Sequence, residues 1–110
     1  MKYLITESQF DKVIFRYLNN QDFIQIDKGS NIYFVNSEND EYAQIMYNKN
    51  VKWCYISLEL MEEISSFFSL DDTNSGLFIG RWVENTLQMT VIHTLGAVHK
   101  TSLKLRIPSN

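Results

Sequence analysis

The sequence predicts an α+β fold: an N-terminal helix, an antiparallel meander sheet, then two further helices and C-terminal strands, packed as one two-layer domain spanning residues 1–110. Three observations predict it. The stretch Ser57–Leu70 places Leu60, Met61, Ile64, Phe67 and Phe68 at three- and four-residue steps, the period of a helix with one apolar face. Four short β-prone segments separated by polar turns precede it. With 110 residues, 45% of them hydrophobic, the chain is long enough for one core without a metal or disulfide staple.

Lys2–Ile5 reads as an extended edge segment. Thr6 and Gln9 then form a capping-box pattern, with Ile5 and Phe10 at the positions of a hydrophobic staple. The spacing of Phe10, Val13, Ile14, Tyr17 and Leu18 carries this first helix to about Leu18, and Asn19–Asp22 ends it. Strands follow at Phe23–Asp27, Ile32–Val35, Glu41–Tyr47 and Val51–Ile56. Lys28–Asn31 is a hairpin turn in which Gly29 can take a positive φ. The short connections favour antiparallel neighbours. In the fourth strand Val51, Trp53 and Tyr55 alternate with Lys52, Cys54 and Ile56.

Ser57 is a natural N-cap for the helix that follows, and Glu59 suits the positive end of its dipole. Glu62 and Glu63 fall on its polar face, splayed about 100° apart, so they read as solvated charges and not as converging catalytic carboxylates. Asp71–Gly76 reads as a loop before a third helix at about Leu77–Leu87. Its Asp71, Ser75 and Gly76 match three positions of a calcium loop. The closing position holds Trp82 where a bidentate Glu is required, so these residues read as helix caps. Met89–His93 and Val98–Ile107 read as strands joined by a turn at Leu95–Ala97.

Composition excludes several functions. The net charge of −3 argues against a general duplex-DNA binder. Cys54 is the only cysteine, which rules out an internal disulfide and a multi-cysteine zinc site and fits a reducing cytoplasm. On a strand flanked by large aromatics it reads as a small buried hydrophobe. The opening residues are too short and too soon polar for a signal peptide, and no apolar run reaches the roughly 20 residues of a membrane span. No glycine-rich phosphate loop, nucleophile elbow or HExxH motif is present, and no cofactor is expected.

Two local clusters remain. His93 and His99, the only histidines, flank the expected turn and would be neighbours on facing strands; a metal site with Glu84 or Asp72 as third ligand can be drawn, against the plainer reading of two surface histidines. Lys100, Lys104 and Arg106 would share one face of the last strand, a small platform for single-stranded nucleic acid or a charged edge that blocks aggregation. Trp53, Tyr55 and the edge strand after Met89 are candidates for a symmetric contact between copies.

The opening Lys2-Tyr-Leu-Ile-Thr-Glu-Ser-Gln9 with Phe10 and Val13-Ile14, together with Ile64–Leu70 and Arg81-Trp-Val-Glu84, resembles segments of small uncharacterised proteins of marine bacteriophages and ocean environmental sequences. The resemblance implies a phage or marine microbial source and a cytoplasmic or virion setting. It supplies no catalytic residues. The function expected is therefore non-catalytic: a protein-interaction or phage accessory protein that self-associates. A nucleic-acid module and a small-ligand or metal enzyme are the alternatives.

Overall fold

A computed structural model describes residues 7–105. The expected segment Lys2–Ile5, the Thr6 half of the capping box and the basic residue Arg106 lie outside the described residues.

The chain runs α1 (Glu7–Asn19), β1 (Ile24–Lys28), β2 (Asn31–Val35), β3 (Ile45–Asn48), β4 (Trp53–Ser57), α2 (Leu58–Phe68), α3 (Asp72–Leu87) and β5 (His93–Val98), closing on a short 3-10 turn at Lys100–Leu103. The architecture is α+β. The sheet order is β1-β2-β3-β4-β5. The first four strands form the expected antiparallel meander, and β5 lies parallel to β4. The sheet is mixed because residues 58–92, which include α2 and α3, carry the chain back to the starting end of β4 before β5 begins.

Local chemistry accounts for the turns. Gly29, at φ +65°, allows the two-residue connection from Lys28 to Asn31. Asn48 Oδ1 accepts from the amides of Asn50 (2.9 Å) and Val51 (3.3 Å), shaping the β3–β4 turn. The Ser57 hydroxyl accepts from Leu60 N at 3.1 Å as the predicted N-cap of α2 and donates to Gln44 Oε1 at 2.8 Å.

Side chains on one face of the sheet (Ile32, Phe34, Ile45, Tyr47, Cys54 and Ile56) pack with Ile14, Leu18, Leu60, Met61, Ile64, Phe78, Ile79, Trp82 and Val83 of the helices. Phe23, Phe34 and Trp82 form an aromatic centre with ring centroids 5.3–6.3 Å apart. The Trp82 indole N–H donates to Asn19 Oδ1 at 2.9 Å and ties α3 to the end of α1. The opposite face is covered as well. Leu103 and Leu105 fold over Tyr33, Val35 and Met46. Ala43 N donates to Leu103 O (2.9 Å) and Leu105 N donates to Glu41 O (3.0 Å), which stitches residues 41–43 to residues 103–105.

Four expectations are corrected. The third strand is shorter than Glu41–Tyr47, because residues 41–44 leave the ladder to meet the C-terminal segment. Asp71–Gly76 is not a loop: α3 starts at Asp72, with Asp71 as N-cap accepting from Asn74 N at 2.8 Å. The two C-terminal strands separated by a turn are one strand, β5, followed by the 3-10 turn. Phe67, placed in the apolar stripe of α2, is 66% exposed and stacks on Tyr17.

Candidate functional site

The residues singled out from the sequence are distributed as follows. Trp53 lies on the sheet face away from the helices, half-exposed, with Tyr55 beside it (centroids 6.3 Å) and His93 across the ladder (5.0 Å). These three rings form one aromatic patch at the start of β5. His99 lies just beyond the other end of the same strand, at most about 20 Å from His93 at strand rise. The two histidines therefore do not face each other, because the turn expected between them is strand. His99 Nδ1 is 2.9 Å from Thr101 Oγ1 and caps the 3-10 turn. Among the described residues no three His, Cys, Asp or Glu side chains converge in a way that would hold a metal.

The basic cluster is not a strand face. Lys100 sits in the 3-10 turn with its ammonium 5.1 Å from the Tyr42 ring centroid. Lys104 follows it, with Nζ 3.7 Å from Glu41. Both charges thus turn back onto residues 41–42. Cys54 is fully buried, and burial pushes its thiol up to about 12, so it is held as an unreactive hydrophobe. Glu63 accepts from the Tyr17 hydroxyl across the α1–α2 contact; burial first, and this carboxylate second, push Tyr17 up to about 12.

Two concave regions border β5. One, about 630 Å3, lies between Tyr42, Gln44, the first turn of α2 and the end of β5 at Val98–Lys100. The other, about 620 Å3, is a groove between α3 and the outer edge of β5. The groove is built by glycines. A Cβ on Gly80 would stand 2.5 Å from Thr94 Oγ1, and one on Gly96 would stand 1.8 Å from Met61 Cε. Small residues let α3 approach the strand closely, and the Met61 methyl occupies the space beside Gly96 as the groove floor. Leu77 and Arg81 form the helix-side wall. Glu84 closes one end by accepting from Val91 N at 3.0 Å.

β5 is one of the two edge strands, with β1 at the other side, so one row of its backbone N–H and C=O groups has no strand partner. Ile92, just before it, is 66% exposed, and Leu77 and Met89 nearby are also exposed. The candidate edge after Met89 is visible in the sequence, whereas the groove beside it is not. The signal in the sequence is Gly76, Gly80 and Gly96, since glycine inside a helix or strand marks a close approach of another group.

No protein-family model, curated protein or solved structure matches this chain.

Proposed function

We propose that this chain is a non-catalytic protein-interaction domain that self-associates through the outer edge of β5. The observation that carries this is the longest strand of the sheet standing unpaired at its rim, flanked by the exposed apolar side chains of Ile92, Leu77 and Met89. Open edges are ordinarily shortened, charged, twisted away by a bulge or covered in monomeric proteins; β5 bulges past Leu95 but leaves His93–Leu95 regular. Here β5 carries no Lys, Arg, Asp or Glu at all. Edge-to-edge pairing satisfies the backbone groups and removes apolar surface from water in one step. A phage accessory or virion-associated setting belongs to the same proposal and rests on the resemblance of the opening segment, Ile64–Leu70 and Arg81–Glu84.

The test is the mass of the purified chain by native mass spectrometry and light scattering at micromolar concentration. A dimer is expected. A monomer across that range overturns the proposal. Lys104 and Lys100 turn toward Glu41 and Tyr42, which favours the protein-interaction reading over the nucleic-acid alternative.

A further inference from the structure

We infer that residues 99–105 form a strap across the sheet face away from the helices, and that this strap opens about Ala97 as a unit while the helix side stays folded. The inference stands apart from self-association and concerns the opposite face of the sheet.

The strap is held together from within. His99 Nδ1 accepts from Thr101 N at 3.3 Å and lies 2.9 Å from Thr101 Oγ1, and Ser102 N donates to His99 O at 2.9 Å. These bonds persist when the segment lifts, because both partners of each move together. Its polar attachments run to residues 41–43. Leu103 O accepts from Ala43 N at 2.9 Å and Leu105 N donates to Glu41 O at 3.0 Å, on either side of the antiparallel bridge between Tyr42 and Lys104. Lys104 pairs with Glu41 and Lys100 lies over the Tyr42 ring; both contacts are open to water and add little holding force. Residues 41–43 themselves precede β3 and stand outside its ladder.

The apolar attachment is narrow. Leu103 and Leu105 bury against Tyr33, Val35, Ala43 and Met46. Side chains on the other face of the same strands share a core with all three helices. Alternate strand residues point to opposite faces, so the sheet itself separates the two clusters. Lifting the two leucines takes no side chain from the helix-side core. A segment with few buried apolar contacts opens at a lower free energy than the main core of its domain.

A pivot precedes the strap. The pairing of β5 with β4 shifts register between Tyr55 and Ser57, and Ala97 holds φ +57°, a conformation that costs a non-glycine residue free energy. Irregular positions at the end of an element are the ones that absorb backbone rotation in a hinge. Opening uncovers Tyr33, Val35 and Met46. Met46 lies between Tyr33 and Tyr55 in the ladder, so the patch of Trp53, Tyr55 and His93 continues beneath the strap. The strap thereby sets how much apolar sheet surface the molecule presents.

The experiment is native-state hydrogen exchange, read by NMR at a series of low denaturant concentrations. The amides of Ala43 and Leu105 join the strap to residues 41–43. They are expected to share one protection factor, at least about tenfold below that of the β3–β4 ladder amides and nearly independent of denaturant. Protection and denaturant dependence equal to those of the ladder overturn the inference, and so do unequal values at the two amides, which mean piecemeal fraying. Leu103→Ala is expected to lower both protection factors at least about tenfold further while those of the ladder amides stay unchanged. An equal drop at every amide, or a variant that does not fold, shows the strap to be part of one cooperative core and overturns the inference.

Discussion

Gly80 and Thr94 stand so close that a single added carbon does not fit between them: a Cβ on Gly80 would lie 2.5 Å from Thr94 Oγ1. The contact joins the middle of α3 to the strand that closes the sheet. It explains a glycine in the interior of a helix, where Ala would be favoured by about 1 kcal/mol.

Gly80→Ala is therefore expected to destabilise the fold despite its better helix propensity. Thr94 is β-branched and short, and cannot swing aside as the end of a long side chain can. A loss of about 1–3 kcal/mol is expected for the overpacked variant. The double variant Gly80→Ala/Thr94→Ala is expected to recover most of it, because the second change empties the space the first one needs. Urea unfolding of the four proteins of this cycle measures the coupling; additive losses would show that the helix does not press on Thr94.

The helix face of α2 separates its two apolar kinds of residue. Ile64 is fully buried among the sheet and helix side chains, whereas Phe67 is 66% exposed against Tyr17. Ile64→Asp buries an unpaired carboxylate and is expected to unfold the domain, a loss above about 4 kcal/mol. Phe67→Asp removes the stacking on Tyr17 and the edge contact with Phe68 and is expected to cost about 2 kcal/mol or less. Far-ultraviolet circular dichroism melts of both variants decide the point.

Cys54 sets a pH response. Its folded-state thiol is pushed from 9.0 up to about 12 by burial. Below about pH 9 the group is protonated in folded and unfolded chains alike, so its share of stability is intact. Between about pH 9 and 12 the unfolded chain releases the proton while the folded chain holds it. Stability then falls by up to about 1.4 kcal/mol per pH unit from this group. Cys54→Ala lowers stability at every pH by leaving a small cavity, but is expected to flatten the fall between about pH 9 and 10, where Tyr17 and Tyr47, whose hydroxyls burial also raises from 10.0, add the same background slope to both proteins. Denaturant midpoints at about pH 8, 9 and 10 measure the two slopes; equal slopes would show that Cys54 is solvated.

The parts of the fold that were legible in the sequence are those fixed by neighbours in the chain. The stripe of Ile14 and Leu18, the Ser57 cap, the Gly29 turn and the alternation of Cys54 and Ile56 each depend on residues only a few positions apart. The start of α3 was hidden because Asp72-Thr-Asn-Ser-Gly76 has turn composition; tertiary contacts make it helical. Ser75 is fully buried, 2.8 Å from Ser65 of α2, and Ser65 also donates to Asp72 at 3.1 Å. The unity of β5 was hidden for the same reason. Leu95-Gly-Ala reads as a turn from sequence, yet Gly96 is there because Met61 comes so close. The candidate groove was illegible because it joins residues from α2, α3 and β5. The misplacement of His93 and His99 followed directly from reading that strand as two.

The parallel pairing of β4 with β5 also sets how the sheet can be assembled. β1 to β4 meet partners adjacent in the chain, so closing each hairpin costs little loop entropy. β5 reaches β4 only after residues 58–92 have folded back, a long-range pairing like the isolated bridge between Tyr42 and Lys104. The chain thus divides into a meander specified by local encounters and a closing strand specified by a distant one. Until the closing strand arrives, the edge of β4 is the open one, and Gly80 and Gly96 are the two positions that let α3, β5 and Met61 come close enough to cover it.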